Sequence, residues 1–189
     1  MGRALRADAE RSVRAILEAA ERVLAVDPGA SLEQIAEAAG VARTTVHRRF
    51  ASRQALIEVL SVSAKRQLAD AIEEARPDSG PWLVALHRVT ANVLRVKGAW
   101  PFAMGDPATD TGEAARIWAE IEQRCLDLLG RARDDGLFAP SADLDWVRRV
   151  YYALIGEALH DRRGRDPEEL AALVVETLLH GAGRDPGGS

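Results

Sequence analysis

The sequence predicts an all-α protein of about nine helices, an N-terminal helix-turn-helix domain followed by a larger helical domain. Three observations carry that expectation. Apolar residues recur at i, i+3 and i+4 along almost the whole chain, the period of a helix with one buried face. The two-residue alternation of a half-buried strand is not sustained anywhere, and β-branched residues are scattered. Gly, Pro and Asp clusters fall where one helical stripe stops and the next begins.

The elements follow in order. Val13, Ile16, Leu17, Ala20, Val23 and Leu24 form the stripe of a first helix, which "DPG" at 27–29 ends. Ser31 opens a second as a capping box with Gln34, and Ile35 and Ala36 point inward. Gly40 can take the positive φ of a tight turn and stops it. A short third helix runs from about Ala42. Ser52 caps a long fourth that reaches about Ala75, with Leu56, Leu60, Ala64, Leu68 and Ile72 on one side.

"RPDSGP" at 76–81 breaks the chain, and Pro81 opens a helix carrying Trp82, Ala85, Leu86, Val89, Val93 and Val96. The stretch 98–112 is irregular. Ile117, Trp118, Ile121, Cys125, Leu128, Leu129 and Ala132 mark another long helix, closed by Gly136. One more spans about 143–161 behind Asp143, with Trp146, Val150, Tyr151, Leu154, Ala158 and Leu159. The last spans about 167–181, with Asp166 as cap, Pro167 at its first position and Glu169 at its third. The tail 184–189 is expected to be disordered. The resulting division is 1–55 for the helix-turn-helix domain and 56–183 for the second.

Composition bounds the function. The 189 residues are 47% hydrophobic and 29% charged, which fits a soluble globular protein. "MGRALRADAERS" has no apolar core of a secretion signal, and nothing approaches the roughly 18 apolar residues of a membrane span. With one cysteine, Cys125, no disulfide can close within the chain. A cytoplasmic protein is the expectation. No cofactor or metal site is expected: the four histidines are dispersed, and no HExxH, CxxC, GxSxG, phosphate-loop or dinucleotide fingerprint is present. An enzyme is therefore not expected.

Charge is uneven. The net charge is −4, yet residues 1–55 carry nine Arg against seven acids, and the rest sums to −6. A polyanion partner belongs at the N-terminal end. There, "GVARTTVHRRF" (40–50) concentrates four Arg/His side chains after a glycine, without one acid. Two helices about a glycine turn, the second short and basic, make the pattern of a helix-turn-helix over about 31–50. With Val46 set inward at about 100° per residue, Thr44 and Arg48 lie nearly opposite at about 160° and 200°. His47 and Thr45 flank them, and Ala42, Arg49 and Phe50 share the inner side. Arg43 leads the outward strip from the first turn.

Arginine bridges guanine O6 and N7, and threonine meets the thymine methyl or a base edge. Arg53 and Ser31 stand near helix N-termini suited to phosphate. Arg3 and Arg6 sit on an expected flexible arm that can reach a minor groove, or is simply a solvated tail.

"LEQIAEAAGVARTTVHRRFASRQALIEVL" (32–60) resembles the signature of the TetR (tetracycline-repressor-like) transcriptional regulators. His47 stands where that family usually has tyrosine, and Arg53 where it usually has lysine. The resemblance implies phosphate contacts from Thr45, His47 and Arg53, and base reading by Arg43, Thr44 and Arg48. It also implies a second domain that binds a small apolar or aromatic effector. Trp82, His87, Trp100, Phe102, Met104, Trp118, Cys125 and Tyr151 come from segments that the family folds around its pocket, and Asn92 joins His87 as a polar candidate. The same residues are also an ordinary core.

One helix-turn-helix reads few bases, so a homodimer on a palindromic operator is expected. Its seam is the last two helices, through Leu154, Ala158, Leu170, Leu173, Val174, Thr177 and Leu178, with Gly156 allowing close approach. The implied function is a ligand-responsive repressor, the long fourth helix joining pocket to DNA. An activator of the same fold, or a ligand-binding or scaffold protein with an unused helix-turn-helix, stays open.

Overall fold

The computed structural model describes the backbone of residues 2–100 and 112–182 and the side chains within 8–100 and 112–179. The described residues form eight α-helices: α1 (Gly2–Val26), α2 (Leu32–Ala38), α3 (Arg43–Arg49), α4 (Arg53–Glu74), α5 (Trp82–Ala99), α6 (Gly112–Asp134), α7 (Leu144–Ala158) and α8 (Pro167–Ala182). The all-α expectation holds, with eight helices where about nine were expected. The arm expected to carry Arg3 and Arg6 continues α1 back to Gly2. Their side chains, the 101–111 stretch with Phe102 and Met104, and the tail lie outside the described residues.

The caps read from the sequence are formed. Ser31 Oγ accepts the Gln34 amide N–H at 3.3 Å while the Ser31 amide donates to Gln34 Oε1 at 2.8 Å. Together they satisfy two donors that a helix start leaves without partners. Asp166 and Glu169 repeat the exchange at 2.8 and 3.2 Å, and Asp143 Oδ1 accepts from the Asp145 and Trp146 amides. Ser52 Oγ accepts the Ala55 amide at 3.1 Å. Gly40 follows α2 at φ +65°, a conformation that costs a Cβ-bearing residue about 1 kcal/mol.

The chain forms two compact units, Met1–Ala64 with Ala99–Asp110, and Lys65–Gly98 with Thr111–Ser189. In the first, α1, α2 and α3 pack on one another. Ile16, Ala20 and Leu24 of α1, Ile35 and Ala36 of α2, and Val46 and Phe50 at α3 are all buried, as are Leu56 and Leu60 of α4. Each fully buried Leu or Ile contributes about 1.5–3 kcal/mol, so these few side chains account for much of what holds the three-helix cluster together.

In the second unit α6 packs on α7 and α7 on α8. Leu86 and Leu94 of α5, Ile121 and Leu129 of α6, Phe138, and Leu178 of α8 are buried there. The inward face of α7 is Val147, Tyr151, Ile155 and Ala158. Trp146, expected on that stripe, is 58% exposed with the Arg149 guanidinium 5.1 Å over its ring. Val147 and Ile155 rotate the core face away from it, and the indole is covered by a neighbour one turn on.

Candidate nucleic-acid interface and aromatic cluster

On α3 a single residue is buried. Val46 is fully inaccessible, while Thr44, His47 and Arg48 are exposed and Thr45 is half-buried. Phe50, just past the helix, is also buried. Helix α3 is held from one side by Val46 and Phe50 and offers the opposite side to water, as its period requires. Arg49 and Ala42 depart from the expected face: both are exposed. Ala42 precedes the helix as its N-cap in extended conformation, so helical projection does not apply to it. Arg49 snorkels to a surface groove along α1, among Glu10, Glu18 and Glu21.

Two arginines have protein partners that the sequence did not reveal. The Arg43 guanidinium lies 2.7 Å from Glu33 on α2, and Arg43 Nε donates to His47 Nε2 at 3.4 Å. Its side chain is exposed, as expected, but is drawn along the protein surface by that carboxylate. A hydrogen bond from its own backbone amide holds the Glu33 carboxyl below the usual range, with Ser31, Arg43 and His47 adding to the effect. Arg53 does not project freely from α4. Its Nε donates to the Ala30 carbonyl at 2.9 Å and its Nη2 to the Pro28 carbonyl. A planar fork that ties down the α1–α2 turn has fewer donors left for a phosphate.

In the second unit, aromatic and polar side chains from α5, α6 and α7 converge. The Trp118 and Tyr152 rings meet edge to face at 5.9 Å, and Tyr151 lies 6.0 Å from Tyr152. Lys97 Nζ stands 5.5 Å over Trp118, and the Arg148 guanidinium 5.3 Å over Tyr152. The Tyr151 hydroxyl and Thr90 Oγ1 are 2.8 Å apart in the interior. Glu122 pairs with Arg148 at 2.6 Å. Burial pushes the Cys125 thiol up to about 12, and Tyr152 is its polar neighbour. Such a thiol is neither a nucleophile nor a ready metal ligand at neutral pH.

A profile described as "Bacterial regulatory proteins, tetR family" matches residues 16–60, the segment containing α2, α3 and the start of α4. The chain is 37% identical over 176 residues to the HTH-type transcriptional repressor LfrR of Mycolicibacterium smegmatis, covering 91% of this chain and 90% of that protein. The chain belongs to the TetR family. A crystal structure of LfrR in complex with proflavine superposes with a TM-score of 0.74 at 32% identity, covering 93% of this chain and 99% of that one. The HTH-type transcriptional regulator NfxB of Pseudomonas aeruginosa is 28% identical over 161 residues, 82% of this chain and 86% of that protein. A fatty acid degradation regulator, FadR of Bacillus halodurans, shares the fold at a TM-score of 0.74 and 18% identity, over 92% of this chain and 97% of that one.

This TetR-family chain is a DNA-binding transcriptional regulator and not an enzyme. Among its described residues no helix is long and apolar enough to cross a membrane. Of the residues expected at a pocket, α6 and α7 bring Trp118, Cys125 and Tyr151 together. Trp82 is buried at the start of α5, 15 residues before Lys97 and hence about 22 Å along the helix from it. His87 lines a separate surface depression with Glu74, Asn92 and Glu168. Asn92 is engaged within the fold, donating to the Ala71 carbonyl at 2.7 Å and accepting from Arg95. Trp100 is buried just past α5, in the other compact unit. Thr90, Lys97, Arg148 and Tyr152 are cluster members that sequence reading missed. Tyr152 had a signal, since it adjoins Tyr151, but a helical stripe favours one of two adjacent residues.

Proposed function

We propose that the protein is a repressor that binds a palindromic operator as a homodimer and releases it when a small aromatic molecule occupies the second unit. The exposed Thr44–Arg48 edge of α3, opposite the fully buried Val46, is the observation that carries the DNA half of this reading. Arg48 and Thr44 read base edges, with Arg43 joining them once DNA competes it away from Glu33. Thr45, His47 and Ser31 face the phosphates, and Arg53 contributes mainly by positioning the turn. Residues 1–55 are the DNA-binding domain and 56–183 the effector and dimerisation domain, working in the cytoplasm. Repression is supported by the relative that is named a repressor, and an aromatic effector by the proflavine complex of that same relative together with the Trp118, Tyr151 and Tyr152 cluster.

The dimer seam is α7 with α8. Leu154, Ala158, Leu170, Leu173, Val174 and Thr177 line one surface groove between them. Leu159 and Leu173 are exposed at 37% and 42%, apolar area that a second copy would cover. Helix α4, 22 residues and about 33 Å long, carries the chain from one domain to the other. An effector that favours one tilt of α4 changes the spacing of the two α3 helices, which must match half-sites about 34–36 Å apart.

Gel shift on fragments of the source genome tests this reading. One fragment should bind selectively as a two-fold complex, with affinity falling steeply in salt, and proflavine should release it. Salt-insensitive or unselective binding, or a monomer on DNA, would overturn it.

A further inference from the structure

The imidazole of His47 sits on the outward edge of α3 between two groups of opposite charge. Arg43 Nε donates to His47 Nε2 at 3.4 Å, so in this arrangement Nε2 is an acceptor and the single ring proton is on Nδ1. The Glu33 carboxylate lies 3.8 Å from the same nitrogen and holds the Arg43 guanidinium at 2.7 Å. The other charges on the elements around α3 are engaged elsewhere or stand clear of the ring. Arg53 of α4 is bound to the Ala30 and Pro28 carbonyls. Arg49 joins Glu10, Arg14, Glu18 and Glu21 in the groove along α1. Glu37 of α2 and Arg48 of α3 are exposed, without a hydrogen bond or ion pair to the imidazole among the described residues.

A nearby phosphate reverses that balance. When Arg43 leaves Glu33 for a base edge, the ring loses a positive neighbour and the donor that occupied Nε2. Glu33 stays behind, and a phosphate oxygen, which only accepts, comes to the freed nitrogen. Nε2 can bond to it only by carrying a proton. With a carboxylate on one side and a phosphate on the other, the doubly protonated, charged ring is the favoured form. A tyrosine at this position would donate its O–H regardless of pH near neutrality, whereas an imidazole exchanges its second proton there.

Resting on the reading of α3 as the helix that meets DNA, we propose that operator binding takes up a proton on His47 of each protomer, so that the protein holds its operator more tightly as pH falls toward 6. The sign follows from linkage: the complex carries more protons than the free protein, and acid therefore favours the complex. Glu33 is not the group that titrates, because its lowered carboxyl keeps its charge across this range.

The test uses the full-length protein and the operator recovered by selection from random DNA. Calorimetric titration at pH 7 in two buffers of different ionisation enthalpy counts the protons taken up. Anisotropy at fixed ionic strength follows affinity from pH 6 to pH 8. Wild type should take up protons on binding and lose about three- to tenfold in affinity per half-site across that range. His47→Tyr should still bind, with uptake and pH slope nearly gone although His87, His160 and His180 remain. His47→Gln, a neutral donor, serves if the tyrosine variant does not bind. Absence of uptake by wild type, as a mere shift of the neutral ring's proton from Nδ1 to Nε2 would give, overturns the proposal. So does an uptake and slope that survive both substitutions. If wild type binds no DNA selectively at any of these pH values, the reading of α3 fails and the proposal falls with it.

Discussion

Glu33, in the first turn of α2, holds the Arg43 guanidinium of α3 at 2.7 Å and lies 3.8 Å from the His47 ring. A carboxylate thus stands at the edge of the surface proposed to meet DNA, where it would compete with phosphate for two basic side chains. Glu33→Gln should remove that competition while preserving shape. We expect operator affinity to rise about two- to fivefold, the scale of an exposed ion pair, with a salt slope steeper by about one. Fluorescence anisotropy across a salt series checks it. Weaker binding by the variant would mean that Glu33 positions Arg43 for DNA. Acid does not substitute for the mutation: the lowered Glu33 carboxyl keeps its charge above the ordinary carboxylate range and loses it only as pH falls through the depressed value.

Arg53 forks onto the Ala30 and Pro28 carbonyls from the start of α4. Arg53→Ala should therefore destabilise the N-terminal domain by about 1–3 kcal/mol, the cost of leaving the part-buried Ala30 carbonyl without its donor. Arg53→Lys should restore little, because an ammonium cannot span two carbonyls as a planar fork does. Urea unfolding of the two variants reads this directly. Unchanged stability with uniformly weaker DNA binding would return Arg53 to a phosphate contact.

Cys125, raised to about 12 by burial, should resist thiol reagents at pH 8 and react only when the protein unfolds. The same shift makes stability depend on alkaline pH. A thiol with its folded value raised contributes stability in full below the unfolded value of about 8.5, and that contribution is lost as pH climbs toward 12. Tyr151 and Tyr152, also raised, act in the same direction, whereas the lowered Lys97 opposes them. Urea midpoints of wild type should fall between about pH 9 and pH 11, and Cys125→Ser should flatten part of that fall. Rapid labelling of native Cys125 would contradict the burial argument.

The sequence was legible wherever one helix carries its own instructions. Ser31 with Gln34, Asp166 with Glu169, and the Val46 face of α3 depend on spacings of three or four residues, so periodicity and cap chemistry suffice to find them. Pairings across helices were not legible. Glu33–Arg43, Arg53–Ala30 and Lys97–Trp118 depend on how one helix is rotated against another and on which way a long flexible side chain leans. Neither is written in a single stripe. Arg49 illustrates the limit: its backbone lies near the inner side, yet three methylenes carry its charge out to water. Trp146 illustrates the converse, since a large apolar residue one position off the core face stays outside.

Base reading by the outer edge of α3 is tested most directly at Arg48, which is exposed on that edge. The measurement is the ratio of operator to random-sequence affinity for Arg48→Ala, on the operator recovered by selection from random DNA. That ratio should fall by about 1–3 kcal/mol, with base choice relaxed at one position of each half-site and random-sequence binding little changed. An undiminished ratio would place sequence recognition elsewhere on the protein.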